Sequence, residues 1–193
     1  LAWSLAAQPS FRYVPEHQLA PGTLLVMEEA QIVDLDRDRD LDVLLLGQMH
    51  YWNDGNAYFT RGPSLPPPCS GCWPGTGGNP AIGDVDGDAD PDILFAMGII
   101  PPWSQYASLL YLNDGRGGFT PVPDPYPTNG YWTTRLVFGD TDRDGDLDLV
   151  VGGYATQNCL YLNDGTGKFT DVTATHMPFD NDTPYDVELA DVN

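Results

Sequence analysis

The chain has 193 residues and a formal net charge of −20, from 28 acidic and 8 basic residues. Proteins bind nucleic acid through basic side chains that replace phosphate counterions, so this charge argues against nucleic acid as a partner. The 21 glycines and 18 prolines favour turns and short strands, and no apolar stretch is long enough to predict a transmembrane segment.

The first 18 residues predict half of a repeated sheet unit. The segment Phe11-Arg-Tyr-Val14 matches Phe119-Thr-Pro-Val122 and Phe169-Thr-Asp-Val172 further along the chain. Aligned on these matches, residues 1–18 correspond to the two outer strands of the later units. The two inner strands of this first unit are absent from the sequence.

Aspartates recur at alternate positions in three loops of nine residues, each followed by an apolar run. The loops span residues 34–42, 84–92 and 140–148, and a fourth copy begins at Asp191-Val-Asn193. Two carboxylates about 4 Å apart repel each other by roughly 4 kcal/mol at a surface-like dielectric. A hard divalent cation removes this repulsion, and Ca²⁺ accepts about six to eight oxygen ligands from loops of this kind. Each loop therefore predicts a Ca²⁺ site.

The predicted ligands are the carboxylates at positions 1, 3, 5 and 9 of each loop, together with the backbone carbonyl at position 7. The carboxylates are Asp34, Asp36, Asp38 and Asp42; Asp84, Asp86, Asp88 and Asp92; and Asp140, Asp142, Asp144 and Asp148. The carbonyls belong to Asp40, Asp90 and Asp146. A glycine suits the sharp turn at position 6, where Gly145 has the counterparts Arg39 and Ala89, which predicts backbone strain or weaker binding in those two loops. An EF-hand is excluded, because its position-12 glutamate is replaced here by Leu45, Phe95 and Val151.

A second motif follows each aspartate loop. It reads Tyr51-Trp-Asn-Asp-Gly55 in the first repeat, with Tyr111-Leu-Asn-Asp-Gly115 and Tyr161-Leu-Asn-Asp-Gly165 in the next two. Asn-Asp-Gly between apolar strands predicts a hairpin, because these residues tolerate the positive φ of a turn. Each unit of about 50 residues therefore contains four antiparallel strands, which in the second unit are predicted at 81–82, 93–97, 108–112 and 119–122. This pattern predicts an all-β fold of β-propeller blades.

The predicted domain organisation is one propeller segment with three complete blades. The outer half of a preceding blade is predicted at 1–18, the blades at 24–62, 79–122 and 132–175, and the first strand of a following blade at 183–193. Half-blades leave open sheet edges, which favour self-association. Three interpretations stay open: a longer polypeptide, closure within the chain as a four-blade ring, or strand exchange between copies that closes a ring or propagates as a filament. In each of them residues 185–192 are expected to form a sheet strand.

The aspartate loop, the apolar strand and the Tyr-Leu-Asn-Asp-Gly hairpin together resemble the FG-GAP/VCBS repeat. That repeat is the calcium-binding blade of integrin alpha-chain propellers and of many secreted bacterial proteins, and the resemblance covers nearly the whole chain. It implies an extracellular Ca²⁺-binding β-propeller module for adhesion, recognition or structural assembly. Two alternatives are a subunit of an extracellular filament or array built by strand exchange, and the non-catalytic propeller portion of a larger secreted hydrolase or lyase.

The end of each blade opposite the ion loops is expected to carry any ligand. The longest insertions fall there, at residues 61–80, 98–107 and 121–130, and long aromatic loops on one rim often bind ligands. The candidate contacts for a protein or glycan are Trp73, Trp103, Tyr106, Tyr126, Tyr131 and Trp132, with packing between blades as the alternative. The aromatic residues repeated in every blade are instead expected in the core: Tyr51, Tyr111, Tyr161, Phe59, Phe119 and Phe169.

The remaining chemistry of the sequence is sparse. Cys69 and Cys72 are a candidate disulfide, because their loop lacks the β-α-β context of a redox motif, and Cys159 is expected to be a buried thiol. A disulfide together with calcium loops of modest affinity favours an oxidising, calcium-rich exterior. No nucleophile-and-base motif, zinc-protease motif or phosphate-binding loop is found, so we expect a module that is not an enzyme.

Overall fold

A computed structural model of the chain describes residues 30–45, 49–66, 80–96, 108–123, 125–126 and 133–190. Within these residues twelve strands form three four-stranded antiparallel sheets, and one short helix is present. The prediction of an all-β chain built from four-stranded antiparallel units is confirmed. The predicted half-blade at 1–18 and the fourth loop at 191–193 lie outside the described residues.

In each sheet the strands are ordered as they occur in the chain. The first sheet contains β1 (Ala30–Val33), β2 (Asp42–Leu45), β3 (Met49–Asn53) and β4 (Phe59–Arg61). The second contains β5 (Ala81–Gly83), β6 (Asp92–Ala96), β7 (Ser108–Asn113) and β8 (Phe119–Pro123). The third contains β9 (Thr133–Gly139), β10 (Asp148–Gly153), β11 (Cys159–Asn163) and β12 (Phe169–Asp171), and helix α1 (Thr173–His176) follows it.

The aspartate loops and the Asn-Asp-Gly hairpins lie at the same end of each sheet, as the sequence predicts. The loop joins the first strand to the second, and the hairpin joins the third strand to the fourth. The two elements touch: Asn53 Nδ2 donates to the carbonyl of Leu41 at 3.1 Å. Each hairpin turn contains five residues and is closed by a hydrogen bond from the aspartate amide to the carbonyl four residues later, for example from Asp114 to Gly118 at 3.0 Å.

The sheets stack face to face, so the middle sheet is buried on both sides. Side chains of β7 alternate between two apolar clusters, because successive residues of a strand point to opposite faces. Leu109 and Tyr111 belong to the cluster shared with the first sheet, and Leu110 belongs to the cluster shared with the third. Of the repeated aromatic residues predicted in the core, Tyr111, Tyr161 and Phe169 are buried, whereas Tyr51, Phe59 and Phe119 are only half-buried.

The segment that was predicted to supply the first strand of a following blade forms no strand over residues 183–190. It lies instead across the third sheet, where Arg135 Nε donates to Asp186 Oδ1 at 2.7 Å. A Cβ placed on Gly139 would lie 2.5 Å from Leu189 Cδ1, and one on Gly83 would lie 3.4 Å from Phe138 Cδ2. The segment therefore packs against the third sheet in the same way as β9 packs against the second sheet. A strand is defined by ladder hydrogen bonds to a neighbour, and this segment has no such neighbour among the described residues.

Candidate metal centres

Each aspartate loop brings three carboxylates together at positions 1, 3 and 9. Within each group the candidate ligand atoms lie within 4.8 Å of one another. The three groups are Asp34, Asp36 and Asp42; Asp84, Asp86 and Asp92; and Asp140, Asp142 and Asp148.

Left-handed backbone at positions 4 and 6 curls each loop around this group. The φ angles at these positions are 61° and 78° in the first loop, 77° and 73° in the second, and 67° and 100° in the third. The aspartate at position 1 stabilises the curl by accepting amide hydrogen bonds from the turn. Asp84 accepts them from Gly87 at 2.8 Å and from Ala89 at 2.9 Å.

The aspartate at position 9 ties the loop to the hairpin of its own sheet. Asp92 is fully buried and accepts hydrogen bonds from the amides of Val85 at 2.9 Å and Asn113 at 2.8 Å. Asp42 and Asp148 make the same pair of contacts in their sheets. Burial raises the pKa of Asp92 to about 7, and these two hydrogen bonds only partly offset that effect. The fold thus holds a carboxylate where its charge is costly unless a cation lies beside it.

Two buried oxygens of these groups indicate what the loops hold. Asp34 Oδ1 and Asp86 Oδ1 are buried without a hydrogen-bond partner in the described part of the chain. A buried carboxylate oxygen without a donor is unfavourable by about 1–3 kcal/mol or more, and a metal ion removes that penalty. The donor set contains only oxygens, which suits a hard cation such as Ca²⁺ or Mg²⁺. The residues therefore fit a divalent ion.

The aspartates at positions 5 and 7 lie outside the three-carboxylate groups. The position-5 side chain accepts the amide of position 7, as when Asp88 Oδ1 accepts from Asp90 at 2.9 Å. The position-7 carboxylate lies against the hairpin glycine, since a Cβ on Gly115 would be 2.5 Å from both Asp90 oxygens. The side chain of position 7 therefore contacts the hairpin, and the backbone carbonyl of position 7 is the candidate ligand.

The third group is more exposed than the other two. Asp140 and Asp142 are exposed, whereas their counterparts in the first two loops are half-buried. The stacking explains this difference. The hairpin of the second sheet covers the first loop, and the hairpin of the third sheet covers the second loop. Asn113 Nδ2 donates to the carbonyl of Leu35 at 2.7 Å, and Asn163 Nδ2 donates to that of Val85 at 2.8 Å.

The sequence interpretation missed that the hairpin asparagines hold the aspartate loops through their side chains. It treated Asn53, Asn113 and Asn163 only as turn-forming residues. The available signal was that the same amide side chain precedes Asp-Gly in all three hairpins, although many turns accept aspartate or glycine there equally well. Its acceptors are backbone carbonyls, which the side-chain pattern does not reveal.

Of the six candidate rim aromatics, Tyr126 alone lies among the described residues. It is 2 % exposed and packs against Tyr161, with ring centroids 5.0 Å apart, so it follows the packing alternative. Trp73, Trp103, Tyr106, Tyr131 and Trp132 lie outside the described residues, as do Cys69 and Cys72. Cys159 is buried as expected, and burial raises the pKa of its thiol.

The FG-GAP-like repeat model matches the chain three times, over residues 34–95, 102–151 and 140–193. The chain belongs to the FG-GAP-like repeat family. Comparison with curated proteins finds no match. Two of the FG-GAP-like matches begin at an aspartate loop, at residues 34 and 140, and together the matches contain all three groups. Repeats of this family are typical of extracellular proteins. Among the described residues of this FG-GAP-like chain, no helix has the length and apolar character needed to cross a membrane.

Proposed function

We propose that the chain is an extracellular Ca²⁺-binding β-propeller module that serves in adhesion, recognition or structural assembly and is not an enzyme. The observation that carries this proposal is the convergence of the same three carboxylates in three successive loops. The buried unpartnered oxygens of Asp34 and Asp86 support a bound cation rather than a solvated acidic turn.

When bound, an ion would supply positive charge that offsets the three carboxylates of its loop. The chain's own residues hold the loop around that position: Asp84 fixes the turn amides, and Asp92 fixes the loop to the hairpin. Because a folded site binds the ion and an unfolded chain does not, ion binding stabilises the stacked sheets by mass action. This arrangement supports a rigid scaffold whose opposite end presents the long connections to a protein or glycan partner.

Calorimetric titration with Ca²⁺ of the chelator-treated protein tests the proposal. We expect three bound ions, and we expect Asp36→Asn, Asp86→Asn and Asp142→Asn each to remove one of them. The exposed Asp182 lies outside the loops, so Asp182→Asn is the matched control and should retain three. Absence of binding heat, together with a melting temperature that does not change on adding EDTA, would contradict the proposal.

A second candidate role is self-assembly into an extracellular filament or array. It is favoured by the segment at 183–190, which lies where a first strand would lie and pairs with no described strand. Tyr185 of this segment is 96 % exposed. Unpaired extended backbone accepts a strand from another copy readily. Light scattering across a protein concentration series in Ca²⁺ tests this role, because a mass that stays constant over the series contradicts it.

A further inference from the structure

A continuous chain of buried hydrogen bonds links the three position-9 aspartates across the stacked sheets. It starts at Asp42 Oδ2, which accepts the amide of Leu35 at 2.9 Å, and the carbonyl of Leu35 accepts Asn113 Nδ2 at 2.7 Å. The amide of Asn113 then donates to Asp92 Oδ1 at 2.8 Å. The first ion loop is thus joined to the second through one residue of the first sheet and one of the second.

The same connection is repeated between the second and third loops. Asp92 Oδ2 accepts the amide of Val85 at 2.9 Å, and the carbonyl of Val85 accepts Asn163 Nδ2 at 2.8 Å. The amide of Asn163 donates to Asp148 Oδ1 at 3.1 Å. All seven residues that take part in this series of hydrogen bonds are buried: Asp42, Leu35, Asn113, Asp92, Val85, Asn163 and Asp148.

Each hairpin asparagine also contacts its own ion loop. Asn113 Nδ2 donates to the carbonyl of Pro91 at 3.0 Å in addition to that of Leu35. One amide group is therefore shared between two loops that belong to different sheets. In the first sheet Asn53 Nδ2 donates to Leu41 of its own loop, without a cross-sheet acceptor among the described residues.

We propose that Asn113 and Asn163 are positioning residues that couple neighbouring ion loops, so that the loops fill with Ca²⁺ cooperatively. This inference rests on the proposed function. An ion in the first loop fixes Asp42 and with it Leu35, which holds the carbonyl that Asn113 needs. Fixing Asn113 holds the donor to Asp92, so the second loop is already ordered when its own ion arrives. By linkage, an ion in the second loop favours binding in the first by the same factor.

The coupling is stronger between the first and second loops than between the second and third. Arg37, at position 4 of the first loop, donates to Asp90 Oδ1 of the second at 2.7 Å. The corresponding residue of the second loop is Gly87, which has no side chain to reach the third. The Arg37 side chain is half exposed, whereas the hydrogen bonds through Asn113 and Asn163 are buried and each of them orients the next.

A two-site system isolates the first step of the coupling. In an Asp142→Asn background only the first two loops bind Ca²⁺, and adding Asp36→Asn leaves only the second. Calorimetric titration with Ca²⁺ should show that loss of the first ion weakens binding at the second loop by about fivefold, the lower end of typical couplings. The same comparison in an Asn113→Ala background should show a clearly smaller weakening, because only the Arg37–Asp90 contact then joins the two loops. The Asn53→Ala background, as the matched control, should retain the full weakening.

The outcomes separate the coupling from the proposed function. Equal affinity of the second loop with and without the first ion overturns the coupling. A difference that is as large in Asn113→Ala as in the parent protein overturns the role of Asn113. If three ions bind independently, the proposed function stands and the coupling is wrong; if none binds, both are wrong. If circular dichroism shows that Asn113→Ala does not fold, the comparison with native Asn113 still decides whether the first two loops are coupled.

Discussion

Position 6 of each aspartate loop adopts a backbone conformation in which a side chain is strained. Ala89 has a φ of 73° and Arg39 one of 78°, whereas the third loop has Gly145 at 100°. A non-glycine residue in left-handed backbone carries about 1–2 kcal/mol of strain. The loop pattern correctly marks position 6 as a glycine position, but it did not indicate the same strain at position 4, where Arg37 has a φ of 61° and Arg143 one of 67°.

Exchanging the residues at this position should change stability in opposite directions. Ala89→Gly removes the strain, and since the added freedom of the unfolded chain offsets only about 0.4–1 kcal/mol of that gain, we expect stabilisation of about 0.5 kcal/mol. Gly145→Ala adds the strain and gains the same offset, so it should destabilise by about 0.5–1 kcal/mol, although no atom lies within 4 Å of the added Cβ. Urea denaturation in EDTA measures both, and destabilisation by Ala89→Gly would contradict this account.

His50 is a buried imidazole at the interface between the first and second sheets. It is 1 % exposed, lies 4.6 Å from the ring of Trp52 and 5.8 Å from that of Phe119, and has no hydrogen-bond partner among the described residues. Burial, with a smaller effect from the Arg61 charge, lowers the pKa of His50 below its usual value of 6.5. The sequence alone gave no reason to single out this histidine, because its burial depends on the stacking of the next sheet.

Acid should therefore destabilise the protein through His50. Below about pH 6.5 the unfolded chain takes up a proton on this residue that the folded chain does not, so stability falls as the pH falls; above pH 7 the effect is absent. We expect His50→Leu to lose less stability between pH 7 and pH 5 than the parent protein, in EDTA so that ion release does not contribute. The exposed His176 provides the control, and an equal slope in His50→Leu and His176→Leu would refute the prediction.

At the scale of the element, the third strand of the middle sheet is the most completely buried. All but one of the six residues of β7 are buried, because apolar clusters cover both of its faces. The existence of the strand follows from the run Ser-Leu-Leu-Tyr-Leu, but a run of this kind does not show which neighbour covers which face. That information comes only from the stacking of the three sheets.

Truncation of one side chain in β7 should weaken the contact with the third sheet. Leu110 is buried in the cluster between the second and third sheets, so Leu110→Ala should destabilise by about 2–5 kcal/mol. Ile32 in β1 is 57 % exposed, and Ile32→Ala should cost less than about 1 kcal/mol. Urea denaturation in Ca²⁺ measures both, and similar losses for the two variants would show that Leu110 is not part of a packed interface.

Sequence and structure agree best where a motif repeats and least where a single copy carries the pattern. The aspartate loops, the hairpins and the strands around them were predictable, because three copies in the same order fix both their period and their register. The strand predicted at 183–190 has the right apolar spacing but lacks a neighbour for its backbone in the described structure. The inter-sheet role of Asn113 was not predictable, since its partner Leu35 is 78 residues away in the chain.

The charge of the whole molecule is concentrated at one end of the sheets. Fifteen of the 28 acidic residues lie in the three aspartate loops, five in each, and all three loops lie at the hairpin end. Without a bound cation, the loops therefore concentrate negative charge at that end. Salt screens exposed charges, with a Debye length of about 10 Å at 0.1 M and about 3 Å at 1 M.

We expect added NaCl to raise the melting temperature of the EDTA-treated protein more than that of the Ca²⁺-loaded protein. The physical reason is that screening relieves carboxylate repulsion only where no bound ion already does so. Thermal melts at about 0.05 M and about 0.5 M NaCl measure the difference. Substituting KCl controls for a specific effect of sodium, and equal shifts for loaded and chelated protein would contradict the expectation.

The two ends of the sheets also differ in how far their connections vary in length. Every aspartate loop has eight residues between its strands and every hairpin has five, whereas the connections between the second and third strands, at 46–48, 97–107 and 154–158, have three, eleven and five. We therefore expect longer connections to be tolerated at the end opposite the aspartate loops and not at the loop end. A flexible eight-residue graft within 97–107 should cost only about 0.5 kcal/mol, since closing a longer loop adds little entropy cost. The same graft within 114–118 would displace Asn113. We therefore expect a foreign peptide to be displayed within 97–107 but not within 114–118.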